Sequence, residues 1–271
     1  MSLLQSSNPI LADSSLNTAA NAGVFTAPRA ASVNGVINKV AGCTLLTAVA
    51  GGIGAAVCAR FPAITMIAMI VSFLVVIVSM FAVRSSPKVA AALLVIYSAA
   101  QGVAMGSVAV MLEAVLASQG IKVGVGLALQ AFVIVMAMVA AMLLAYKTGL
   151  LKGGATFQRG LTVLTIGIML TFLASFVLGL FGIKMPFIGI GSALEGGTAA
   201  LVGLGLNAFI MLVASLWLIV DFRQVDEAVK AGVPADMEWY LAFGLMATLI
   251  WIYWEALQLV FRLALIFGDR R

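Results

Sequence analysis

The sequence predicts an all-α integral membrane protein with seven transmembrane helices, and three observations carry that reading. Hydrophobic residues make up 63% of the 271 and charged ones only 9%, against about a quarter charged in a soluble domain. Seven runs are long enough to cross a bilayer, which takes about 20 mostly apolar residues. The runs are continuous and do not alternate with period two, which disfavours a transmembrane barrel.

Taken in order, the spans fall near Val40–Ala59, Ile64–Val83, Val89–Met111, Val123–Tyr146, Gly160–Phe181, Ala200–Val220 and Tyr240–Phe267. Together, 39–271 reads as one transmembrane domain. Connections such as Arg60 to Ala63 and Arg84 to Lys88 are short, so successive helices should be antiparallel neighbours. Residues 1–38 are rich in Ser, Asn and Ala and read as a disordered cytoplasmic tail. They hold no basic segment followed by a hydrophobic core, so the first helix is expected to act as the insertion signal.

Lysines and arginines set the orientation. Arg29, Lys39, Arg84, Lys88, Lys147, Lys152, Arg159, Arg223 and Lys230 fall on the N-terminal side, against Arg60, Lys122, Lys184, Arg262, Arg270 and Arg271 on the other. The positive-inside rule therefore places the N-terminus in the cytoplasm and the C-terminus outside. The net charge of +5 is this loop bias, with no basic cluster dense enough to bind nucleic acid.

Small residues mark close helix packing. Gly51, Gly52, Gly54, Ala55 and Ala56 cluster in the first run, and Gly102 and Gly106 form a GxxxG in the third, the pattern that lets helix backbones approach in lipid. In a seven-helix chain this favours intramolecular packing over a dimer face. Cys43 and Cys58 lie in one predicted helix, about 22 Å apart along its axis. They cannot pair, and they read as small buried residues.

The absence of histidine removes serine–histidine dyads, most zinc sites and imidazole ligation of haem. Gly189 to Ser192 lacks the partner that an intramembrane serine protease needs, and Asp221 is not in a GxGD setting. The final span has no lysine to form a Schiff base. No cofactor and no enzymatic activity are expected.

The acids of the last two spans point to function. Glu255 sits in the middle of the last apolar run, among Trp251, Tyr253 and Trp254, with Arg262 its nearest cation in sequence. A carboxylate at that depth costs roughly 2.5 kcal/mol or more on insertion scales, so it must face protein or water. Asp221 closes the preceding run. Two such acids on consecutive helices suggest a site for protons or cations. Glu113 and Arg262 are expected at the outer interface, and Asp226, Glu227, Asp236 and Glu238 in a solvated cytoplasmic loop.

The C-terminal third carries a resemblance. Leu218 to Val225 (LIVDFRQV), Glu238 to Leu245 (EWYLAFGL) and Leu249 to Leu257 (LIWIYWEAL) resemble the bacterial YccA-like branch of the Bax-inhibitor family. Supporting matches lie at Asn8-Pro9, at Gly35 to Lys39 and at Tyr97 through Gly106. The resemblance implies a seven-helix fold whose last helix is wrapped by the others, in the bacterial inner membrane. It also implies a pH-sensitive calcium leak in which acids on the sixth and seventh helices form a proton-responsive latch. Asp221 and Glu255 hold the matching positions and would be the calcium ligands, with Arg223, Gln258, Arg262 and Gln101 as supporting polar residues. The family often has Glu before its third-helix glycine motif, and Gln101 removes that charge here.

Such a latch has a simple physical basis. Two carboxylates in a low-dielectric site share one proton and titrate as a pair, and calcium, which prefers oxygen ligands, competes with that proton. Geometry sets a condition. On a plain hairpin turning at Gly232 and Val233, Asp221 faces about Gly244, leaving Glu255 roughly 16 Å deeper. Direct contact then requires a break, which the amphipathic segment Phe222 to Lys230 and the region Asp236 to Gly244, with Trp239 and Tyr240 as interface anchors, could supply by lying along the membrane surface or bending at Gly244. The resemblance equally supports a non-transporting regulator of a membrane-anchored protease, engaging its partner through residues 1–38.

Overall fold

A computed structural model describes residues 29–83, 85–183, 185 and 187–268. Seven long helices are present: α1 (Val33–Arg60), α2 (Ile64–Ala82), α3 (Pro87–Ser118), α4 (Leu127–Lys147), α5 (Ala155–Leu180), α6 (Gly197–Lys230) and α7 (Glu238–Phe267). All seven are long and apolar enough to cross a membrane, as expected from the hydropathy runs. A one-turn helix, Gly191–Glu195, precedes α6, and a 3-10 turn, Ala235–Met237, leads into α7.

Helix ends follow local chemistry. Ser32 caps α1 by accepting from the Gly35 N–H at 3.0 Å, and Ser86 caps α3 by accepting from the Val89 N–H at 3.3 Å, with Pro87 in the first turn. The cap of α4 comes from elsewhere: the Glu113 carboxylate on α3 accepts from the Leu127 N–H at 2.7 Å. Glu113 is therefore spent on a helix N-terminus, where orphan donors and the dipole favour an anion.

Because α7 packs against α1, α3, α4 and α6, it forms the centre of the bundle. The outer members are α2, against α3 and α1, and α5, against α6. Their sequences explain this position. In α2 the buried residues are Thr65, Ser72 and Ser79, one heptad apart and so on one face, while its large apolar side chains point outward. Lipid is as apolar as leucine, so the small polar face is the one that turns to protein. Cys58 on α1 meets this stripe, its sulfur 2.7 Å from the Thr65 hydroxyl. Cys43 and Cys58 are both buried and unpaired.

The tightest contact is between α1 and α3. A Cβ on Gly106 would collide with the backbone of Gly51, and one on Gly54 with the backbone of Val103. The GxxxG pattern thus serves packing within the chain, bringing two backbones together where any side chain would hold them apart.

Several sequence expectations are corrected. The first helix begins at Val33, and residues 29–31 are not loose: Ala31 N–H donates to Val233 O at 2.7 Å and Ala235 N–H to Arg29 O at 2.7 Å. This short antiparallel pairing joins the root of the tail to the α6–α7 connection. The rest of the tail, 1–28, and the cations Arg84, Lys184, Arg270 and Arg271 lie outside the described residues. Glu238 is not in a solvated loop. Its carboxylate accepts from Lys39 Nζ at 2.6 Å and from the Ser32 N–H at 2.8 Å, with its side chain 6% exposed. Lys39 Nζ also lies 4.9 Å from the centroid of the Trp239 ring. Asp226 and Glu227 lie on α6 and not in a loop, accepting from the Tyr146 hydroxyl at 2.7 Å and Arg223 Nε at 2.6 Å, while the Glu227 side chain and Asp236 are exposed as expected.

Glu238→Ala would leave the Lys39 charge and the Ser32 N–H without a partner in a largely buried corner. It is expected to cost about 2 kcal/mol, the range for hydrogen bonds to charged groups. Thermal unfolding in detergent, followed by circular dichroism, measures this. An unchanged midpoint would mean that the clasp contributes nothing.

Candidate functional site

Two acids lie along the seam between α6 and α7, each held by one side chain of the other helix. Glu255, on α7, is 5% exposed. Asn207 on α6 donates from Nδ2 to Glu255 Oε2 at 2.6 Å and to the Glu255 backbone oxygen at 3.2 Å. The other end of the same amide, Asn207 Oδ1, is buried without a hydrogen-bond partner among the described residues. Asp221, on α6, is half-buried and accepts from the Thr248 hydroxyl of α7 at 2.6 Å.

The acids do not bond to one another. Asp221 stands level with Thr248, and Glu255 stands level with Asn207. Between the two levels lie seven residues of α7 and fourteen of α6, an axial rise of about 10 Å along the first helix and about 21 Å along the second. The expected break is absent: α6 continues as a helix through Asp221 to Lys230, and α7 runs unbroken through Gly244. Phe222 to Lys230 prolongs α6 as part of one uninterrupted helix, where the sequence suggests a separate segment lying on the membrane surface. The direct latch is thereby replaced by two separate acid sites, each with its own partner.

Arg262 is a second correction. It is only 2% exposed, one heptad beyond Glu255 on α7. Its Nη1 donates to Ser192 Oγ at 3.0 Å and its Nη2 to Gly189 O at 2.6 Å, while Nε has no partner among the described residues. A Cβ on Gly203 of α6 would fall 2.5 Å from Arg262 Nη1. The missing side chain there makes room for the guanidinium. Instead of reaching an interface, Arg262 ties the segment before α6 to the central helix.

The remaining expected supports do not converge on the acids. Arg223 turns away from Asp221, donating to Glu227 and, from Nη1, to Gly153 O at 3.0 Å. Gln101 is buried on α3 and Gln258 half-buried on α7, and neither side chain makes a hydrogen bond among the described residues. No group of three or more potential acid or thiol metal ligands occurs among the described residues. Sequence reasoning missed Asn207 and Thr248. The signal for Asn207 was an amide inside an apolar run, which is costly in lipid unless it meets a partner.

These features define a polytopic helical membrane protein with acids buried between its central helix and a neighbour. The chain belongs to the Bax inhibitor 1 like family, whose model matches residues 8–264. A comparison with curated proteins gives no match.

Proposed function

We propose that the protein is a proton-sensitive cation leak of the bacterial inner membrane, with calcium as the transported ion and the α6–α7 seam as its gate. The observation that carries this reading is the pairing of Glu255 with Asn207. The amide offers the carboxylate a donor that is in use and, beside it, the unpaired acceptor Oδ1. A protonated Glu255 would donate to that acceptor, so both protonation states of the acid can be hydrogen-bonded at one site. Buried polar groups are costly when unpaired, and this arrangement lowers that cost in either state.

The expected direction follows from charge. A protonated Glu255 is neutral and attracts a cation weakly, whereas the carboxylate is an oxygen ligand that calcium favours. With few acid ligands at either level, calcium is held weakly enough to pass. Calcium entry into dye-loaded liposomes carrying the purified protein should rise from acidic to neutral pH. Folded protein that gives no flux at any pH would overturn the proposal.

A second reading, a regulator of a membrane-anchored protease, is supported by the pairing of residues 29–31 with Val233 and Ala235, which roots the tail on the α6–α7 connection. Removing residues 1–28 would then abolish the effect on the protease and leave calcium flux intact.

A further inference from the structure

We propose that a basic pocket between the ends of α4 and α6 binds the phosphate of an anionic phospholipid. The pocket, about 420 Å³, opens where Lys147 ends α4, Lys152 follows in the α4–α5 connection and Lys230 ends α6. Arg223 completes its basic lining.

The charges inside the pocket are unequal in their commitments. Both acids there are engaged within the protein, Asp226 by the Tyr146 hydroxyl and Glu227 by Arg223. None of the three lysines forms an ion pair among the described residues. Arg223 is itself fixed by the Gly153 carbonyl, so the positive wall is partly preorganised. Lysines in the last turn of a helix commonly serve its dipole, which accounts for Lys147 and Lys230. It does not account for Lys152, which lies outside any helix, nor for the cavity that all three border.

A lipid fits better than a soluble anion because the basic wall has an apolar margin. Leu144 is 63% exposed and Leu150, between Lys147 and Lys152, is 78% exposed. The lysines can extend toward the headgroup level while these leucines meet acyl chains. Basic pockets between transmembrane helices are a recurrent setting for anionic headgroups.

The test is native mass spectrometry of the full-length protein in detergent, titrated with phosphatidylglycerol or phosphatidylcholine. At roughly fivefold per lysine near a membrane surface, the preference for phosphatidylglycerol should be on the order of 100-fold. Changing Lys147, Lys152 and Lys230 together to Gln should reduce it to a few-fold, whereas the same three changed to Arg should retain it. Inorganic phosphate in large excess should not displace the lipid. A triple Gln variant with the full preference would overturn the proposal, and displacement by phosphate would overturn the lipid as occupant. If the triple variant does not fold, Lys152→Gln alone should lower the preference about fivefold, and no change would equally overturn the site.

Discussion

Gly106→Ala should destabilise the protein strongly, while Gly52→Ala should not. The new methyl on Gly106 would be driven into the backbone of Gly51, which has no rotamer through which to yield, whereas a Cβ on Gly52 meets nothing within 4 Å. Overpacking of this kind costs about 3 kcal/mol. Alanine also gains up to about 1 kcal/mol over glycine in a helix interior, which opposes that cost at Gly106 and acts alone at Gly52. The net effect at Gly106 should lower the unfolding midpoint by roughly 5 °C or more in detergent. At Gly52 the midpoint should hold or rise slightly. Equal behaviour of the two variants would mean that the α1–α3 contact is not as close as its backbones indicate.

Asp221→Asn and Glu255→Gln should each remove part of the pH response of calcium flux, and their effects should add. Each change removes a charge while keeping the shape of the protonated acid. A shared proton would make the double variant no different from either single one. The structure separates the two levels by at least about 10 Å, the distance beyond which mutational effects become nearly independent. On a logarithmic scale, the flux change in the double variant should therefore equal the sum of the single changes. A double variant matching either single variant would restore the common latch, and an unchanged pH response in the double variant would place the gate elsewhere.

The spans were legible because a bilayer imposes a length and a polarity that hydropathy reads directly. Ile64 and Phe267 mark helix limits in both the sequence and the fold. The ends that moved are those set by polar contacts: Ser32 starts α1 before the apolar run begins, and α6 continues beyond Asp221 through charged residues that hydropathy excludes. The two acids were legible for a related reason, since a carboxylate in an apolar run demands explanation. Their partners were not. Nothing in the local sequence tells that Thr248 meets Asp221, and the register that pairs them comes from the packing of two uninterrupted helices. Glu238 reads as a loop residue because it falls between the apolar run that starts at Tyr240 and the turn residues Gly232 and Pro234, while its partners Ser32 and Lys39 lie near the opposite end of the chain.

That last contact constrains how the molecule is made. Ser32 and Glu238 are 206 positions apart, so the entry to the first helix cannot acquire its final partners until the last helix has left the ribosome. Until then Lys39 lacks its carboxylate partner. Arrival of the seventh helix closes the circuit between the first-made and last-made parts of the bundle. The clasp thus records completion: an assembly lacking its final helix has no carboxylate at this corner and exposes an unpaired backbone N–H and a free ammonium, features by which an unfinished membrane protein differs chemically from a finished one.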